Sequence, residues 1–459
     1  MALDRATARR LARTYGPALG IALVAITIAW AFAVTVLRYT RPMGLPLDDS
    51  YIYLTYAKQF GRGEPFSYFP GGGYSAGSTS VVWPMLLAPF WTLGARGHAL
   101  VWVSYVLCTA LYAATAIGVW RTVARIAGSV PGVLAAVVTL GIAPFAWTAL
   151  SGMEVAFASA LLIAIILLLL DQPATGPPSK RLVAVLAASS LSRPEATLIV
   201  LGVIGIAVIQ RVRRRELRAA AWWLIPLVAP SAWVIANKLL AGNLFPNTGV
   251  AKSHFYLPGF DWTYWLDAVT SGTGKMLRGL FWDGTSPLVW PKLFAIGWLA
   301  GAVRIVMWAR REKRMLAGAV IVASPLVLLL AVVASSGLWA FQNYRYIGPV
   351  FPLLAIPIGC ALAPPAMPAR FRWAWLGAAC LAIAVFARAA IPGLVADAKL
   401  FAQGAMDTNT QVVKIGEYLN RKLPDANVLF HDAGAIAYYG DGRVYDMLGL
   451  VTNHQAGIA

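Results

Sequence analysis

Apolar runs long enough to cross about 30 Å of hydrocarbon recur along most of this 459-residue chain. They fall at residues 16–37, 98–120, 129–148, 153–170, 182–192, 195–210, 219–240, 288–308, 315–335, 346–362 and 373–390. A twelfth stretch, 79–93, is short and carries Pro84 and Pro89, which suits a segment lying along the interface or re-entering it. The first run follows a basic start, exceeds a signal-peptide core in length and has no clear cleavage site, so it is expected to be retained as a helix. Beyond residue 390 the pattern changes. Residues 411–423 alternate apolar and charged positions like an amphipathic helix, and 427–431 read as a strand. Asp432-Ala433-Gly434 and Arg443-Val444-Tyr445-Asp446 follow, as in the opening of a small α/β unit. The expected fold is a polytopic α-helical membrane protein with about 11 transmembrane helices. Residues 1–391 would form the membrane domain, with a first outer loop at 38–80, and 392–459 a small α/β tail outside it.

Composition supports this reading, with 59% hydrophobic and 12% charged residues and a mean hydropathy of +0.67. The formal charge of +19 is spread over short runs between spans: 5–13, Arg121 with Arg125, Lys180-Arg181, 211–218, 310–314, and Arg370 with Arg372. That is the positive-inside pattern of cytoplasmic loops, with no nucleic-acid module beside it. Holding every basic run inside puts the N-terminus in and the C-terminus out. The protein is then a multi-pass plasma (inner) membrane protein whose polar loops converge on the extracytoplasmic face. Cys108, Cys360 and Cys380 lie in apolar spans without metal spacing and read as small core residues.

On that outer face, Asp48 and Asp49 sit a short loop beyond the first span, ahead of a Gly-rich segment at 71–77. An adjacent carboxylate pair suits general-base work on a hydroxyl, the second carboxylate orienting the first or, at Asp48, holding a divalent cation. The bland alternative is that Asp49 or Ser50 merely caps a helix over 51–60. Glu154, Arg193 and Glu195 are ionisable groups at span ends, where charge usually faces a partner or a cavity. Arg193 could neutralise Glu154 or bind a phosphate. Lys252 and His254 follow a Gly-containing loop with Asn247, and could equally be ordinary loop residues. Tyr344-Arg345-Tyr346 suits phosphate, because a guanidinium fork matches its oxygens; snorkelling to the interface is the other reading. His431 and Asp432 fit a turn in the tail.

The order of these motifs resembles the GT-C superfamily of polytopic glycosyltransferases. The likeness runs through Asp48-Asp49-Ser50-Tyr51-Ile52, Gly77-Ser78-Thr79-Ser80, Ser151-Gly152-Met153-Glu154 and Arg193-Pro194-Glu195. It continues in Pro246-Asn247-Thr248 with Lys252, Arg345-Tyr346, and Asp432-Ala433-Gly434 with Asp446. It is nearest to the bacterial branch that contains the mycobacterial terminal arabinofuranosyltransferase and mannosyltransferase-like proteins. The resemblance implies transfer of a sugar, arabinofuranosyl or mannosyl, from a polyprenyl-phosphate donor to a glycan, lipid or protein acceptor, with inversion. One aspartate of the first loop would be the base, and Asp49 is the favoured one. Arg345, Arg193, Lys252 and His254 are then expected at the donor phosphate, and Glu154, Glu195, Asn247 and Tyr344 at the substrates. The residues around the aspartates differ enough from the arabinofuranosyl enzyme that its sugar does not carry over. Members of this branch often continue into a larger soluble domain, so an acceptor-binding half is expected to be missing, shortened or supplied by a partner. A transporter or flippase of a lipid-linked saccharide is the competing class. It calls for ionisable groups at mid-membrane and usually an inverted repeat, whereas the polar residues here gather at one face.

Overall fold

The computed structural model describes residues 5–256, 260–364 and 368–454. Of the eleven expected spans, seven are helices long and apolar enough to cross a membrane: Tyr15–Tyr39, His98–Ala127, Pro194–Arg213, Leu217–Ala241, Pro291–Arg311, Met315–Ser335 and Arg372–Lys422. An eighth is a pair, Ser129–Gly141 and Ala143–Leu150, bent by 69° where Pro144 opens the second half. The other three are shorter: Val155–Asp171 with 17 residues, Lys180–Ser190 with 11 and Val350–Ala361 with 12. At about 1.5 Å per residue, twelve residues reach only roughly 18 Å. Val350–Ala361 is apolar for a different reason, since Val350 to Cys360 are all buried inside the bundle. Hydropathy does not distinguish a helix facing lipid from one facing other helices.

The bundle's outer surface carries large apolar side chains such as Leu19, Leu23 and Trp30, at 63%, 56% and 68% exposure. In water such a surface would be a liability; against lipid it is the favourable state. The stretch 79–93 holds the helix Val82–Thr92, at 11 residues too short to cross, with Met85, Leu86 and Phe90 turned outward.

Two long helices bring the ends of the chain together. Arg5–Tyr39 packs on Arg372–Thr408, with Phe32 and Phe401 edge to face at 5.6 Å. The second helix has 37 residues and runs without a break through residue 391, where the tail was expected to begin. It continues through a π turn at Asn409–Val413 into Lys414–Lys422. Strands β1 (Asn427–Phe430) and β2 (Arg443–Asp446) follow, paired in parallel with Asn427 opposite Arg443. The helix Ala433–Gly440 connects them, as a parallel pair requires a crossover.

That tail helix lies on the first-loop helix Asp48–Gly61, whose residues Ser50 to Gln59 are all buried. A segment with so many polar side chains tolerates burial only if they are hydrogen-bonded. Tyr53 shares a hydrogen bond with Thr79, Tyr56 with Ser75, and Thr55 donates to the Tyr51 carbonyl. The loop helix is thus sandwiched between the interfacial helix and the tail.

Candidate active site

Asp48 and Asp49 are the first two residues of the loop helix; Leu47 stands at the cap position, and no side chain caps the helix. Carboxylates in a first turn suit the positive end of the helix dipole. Successive helical residues point about 100° apart, so the two aspartates go different ways.

Asp48 turns to the tail. Its two carboxylate oxygens accept from the Gly434 and Ala435 amides, each at 2.7 Å. It therefore satisfies the N-terminus of the tail helix, whose own N-cap residue, Asp432, makes no side-chain cap bond. Burial raises its carboxyl, while the Ala435 and Gly434 amides draw it back down. Only glycine fits at 434, because a Cβ there would stand 2.1 Å from the Asp48 carbonyl oxygen. At the other end, the buried Lys58 ammonium donates to the Ala437 and Tyr438 carbonyls at 3.2 and 2.8 Å and pairs with Asp441 at 2.6 Å. One loop helix thus clamps both ends of the tail helix with the charge that each end of its dipole favours.

Asp49 turns into a cavity of about 780 Å³, which Ile52 and Tyr53 line from the same helix face. Its carboxylate forms an ion pair with Arg345, whose guanidinium also donates to the Tyr346 hydroxyl at 3.0 Å and lies 4.9 Å from that ring's centre. Arg345 is 4% exposed. The turn ahead of it is strained: Gln342, Asn343 and Tyr344 have φ of 46°, 54° and 64°, a left-handed run of three non-glycine residues. Asn343 anchors that turn by donating to Asp397 at 2.9 Å. Burial alone would raise the Asp49 carboxyl; the Arg345 and Lys252 charges outweigh it and hold it below the ordinary carboxylate range.

Across the cavity, Arg193 holds a second group together. Extended backbone at Arg193 and Pro194 at the first helical position end one helix and start the next. Its Nη1 is 3.3 Å from Glu154 and its Nε 3.4 Å from Glu195, while Nη1 and Nη2 also reach the Arg345 and Tyr346 carbonyls at 3.4 Å. Glu154 is 3% exposed, at the end of a turn pinned by Trp83 Nε1 and Ser104 Oγ, which both donate to the Gly152 carbonyl.

The cavity thus gathers Asp49, Glu154, Arg193, Glu195, Lys252 and Arg345 from the expected set. Asp48, Asn247, His254 and Tyr344 are not among its lining residues. Asn247 is buried, its side-chain amide donating to Asn453 at 3.0 Å. His254 meets Tyr264 edge to face, and Tyr344 packs on Trp339 and Phe351. His431 and Asp432 form an exposed pair at 3.1 Å. Among the described residues no group of three or more His, Cys, Asp or Glu side chains could hold a metal ion. Asp48, the position considered for a cation, has both oxygens committed to backbone amides.

Sequence reasoning missed Tyr53 in the lining and the Lys58 clamp, and named Thr79 and Tyr346 only within motifs, without a place on the cavity wall. One signal was present: Asp48 with Thr55, and Tyr51 with Lys58, repeat at seven residues, placing polar groups along one side of a helix that needs a polar neighbour.

A family model described as a domain of unknown function (DUF8728) matches residues 402–459, the segment that contains the clamped tail helix. No curated protein matches the chain. Solved structures do. ArnT from Cupriavidus metallidurans bound to undecaprenyl phosphate superposes with a TM-score of 0.60 at 13% identity, over 94% of this chain and 86% of that one. The archaeal oligosaccharyltransferase AglB from Archaeoglobus fulgidus, in complex with an inhibitory peptide and a dolichol-phosphate, gives 0.56 at 12% identity, over 97% of this chain and 65% of AglB. Both are GT-C glycosyltransferases, and nothing in the likeness singles out the arabinofuranosyl branch. At that identity the likeness shows a shared fold: the chain has the architecture of ArnT and AglB.

Proposed function

We propose that this protein is a membrane glycosyltransferase that moves a sugar from a polyprenyl-phosphate donor to an extracytoplasmic acceptor. The observation that carries the reading is one cavity holding a carboxylate, Asp49, beside two cations, Arg345 and Lys252, and bordered by span residues such as Leu198, Ala331 and Ala334. A prenyl chain can stay among the span helices while its phosphate meets the cations. The ligands named with ArnT and AglB, undecaprenyl phosphate and dolichol-phosphate, have that chemistry.

In the proposed reaction the acceptor hydroxyl attacks the anomeric carbon as Asp49 removes its proton, and the sugar–phosphate bond breaks with inversion. The leaving phosphate gains negative charge, which fixed cations stabilise without reorganising. Arg193 already has acceptors at Nε, Nη1 and Nη2, so the phosphate falls to Arg345 and Lys252. A phosphate that engages Arg345 also loosens its hold on Asp49 and frees the base.

An ion-paired carboxylate stays ionised to lower pH, so the acid limb of kcat/KM is expected below the ordinary carboxylate range. Arg345→Met removes the larger opposing charge and leaves the burial, so the limb should move to higher pH. Rates measured with a labelled polyprenyl-phosphate sugar across the acid range check this. A limb that stays put means that Asp49 is not the titrating group.

The orientation is tested by single cysteines in a chain lacking Cys108, Cys360 and Cys380. Pro70 and Asp425 are exposed in the first loop and the tail, and Thr175 is exposed on the opposite loop. An impermeant reagent is expected to label Pro70→Cys and Asp425→Cys from outside intact cells, and Thr175→Cys only after lysis. The reverse pattern would put Asp49 in the cytoplasm and end the lipid-phosphate mechanism.

A further inference from the structure

We propose that Glu154 reads the transferred sugar, accepting a hydrogen bond from it, and that the site therefore takes a sugar presenting hydroxyl or ammonium donors and excludes one bearing a carboxylate. This rests on the transferase reading above.

The charges of the cavity are sorted. Asp49 and Arg345 cancel, and Lys252 adds a positive charge with no ion-pair partner within 4.0 Å among the described residues. On the other side, Glu154 and Glu195 share the single charge of Arg193 and leave a surplus negative charge. A phosphate and the sugar attached to it therefore meet opposite fields. The two groups touch through the backbone of Arg345 and Tyr346, to which Arg193 donates.

Glu154 carries the second, independent observation. Its Oε1 faces Arg193, while its Oε2 is buried and makes no hydrogen bond within 3.5 Å among the described residues, the neighbouring Tyr53 hydroxyl being shared with Thr79. A buried carboxylate oxygen without a donor is costly, and native structures keep one chiefly where a ligand or water completes it. Glu154 lines the same cavity as Asp49, and Tyr53, one helical turn from Asp49, lies close enough to feel its charge. Glu154 thus stands on the wall of the chamber that would hold a ring at the base. A uronate would bring a third carboxylate beside two that already share the one charge of Arg193.

The test uses the full-length protein in liposomes with two labelled donors, polyprenyl phosphate carrying a neutral hexose and the same lipid carrying the matching uronate. Wild type is expected to transfer the hexose and to discriminate strongly against the uronate. Glu154→Gln keeps the shape and removes the charge. It should raise the hexose-donor KM about tenfold, as loss of a charge-assisted hydrogen bond does, and narrow the discrimination by a similar factor. Its acceptor KM and its affinity for sugar-free polyprenyl phosphate should not change, which a merely structural lesion would not spare. If Glu154→Gln does not fold, Glu154→Asp keeps the charge and must still exclude the uronate while raising the donor KM. An unchanged donor KM, or a rise confined to the acceptor KM, overturns the assignment of Glu154. A wild type that transfers neither sugar, from these or other lipid donors, overturns the transferase reading instead.

Discussion

Asp49→Asn is expected to lower kcat by about 10²-fold or more while leaving the donor KM within a few-fold of wild type. Asparagine preserves the size of the side chain and still accepts from Arg345, so the cavity keeps its shape. What it cannot do is take a proton. The ion pair with Arg345 makes the contrast sharper, because the substitution leaves the Arg345 charge more available to the phosphate. Donor affinity should therefore hold or improve as turnover falls. Single-turnover transfer of a labelled sugar, with donor binding measured separately, reads both quantities. Near-normal turnover in Asp49→Asn would remove Asp49 from the chemistry.

Asp48→Asn should act on stability first. One amide oxygen can serve one of the Gly434 and Ala435 amides, but the NH₂ group then faces the other donor. Losing one charge-assisted bond and opposing two donors costs roughly 2–4 kcal/mol, enough to loosen the tail from the loop helix. The expected result is a lower melting temperature and faster proteolysis of the tail, with a smaller fall in kcat than Asp49→Asn. If Asp48→Asn instead abolished turnover with an unchanged melting curve, the roles of the two aspartates would be exchanged. The sequence alone marked them as separable, because neighbours on a helix diverge, and favoured Asp49 as the base.

Other parts of the fold were legible to different degrees. Long lipid-facing helices announce themselves by length and hydropathy, as Tyr15–Tyr39 does with a mean of 2.4. Short interior helices such as Val350–Ala361 imitate spans, because burial against protein and burial in lipid select the same side chains. The bend between Gly141 and Ala143 was signalled by Pro144 but overridden by the apolar run around it. For the site, ionisable residues at span ends were the informative class, and four of them, Glu154, Arg193, Glu195 and Arg345, converge on the cavity with Asp49 and Lys252 from the loops. Loop residues were less readable. Nothing in the pattern around His254 or Asn247 separates a side chain that lines a cavity from one that holds a loop, since both kinds are polar and flanked by turn formers. The Arg193 pairing could not be decided either, as it depends on which span ends meet.

The clamp on the tail helix has a consequence in time. Asp48 leaves the ribosome early, and the amides that fix it lie 386 and 387 residues later. Leu450, on the cavity wall, comes later still. During synthesis every span can be inserted while the reactive carboxylates remain unsupported, and the centre closes only when the last crossed segment folds back on the first. Sugar transfer would then begin only in finished molecules, with translocation of the tail as the event that arms them.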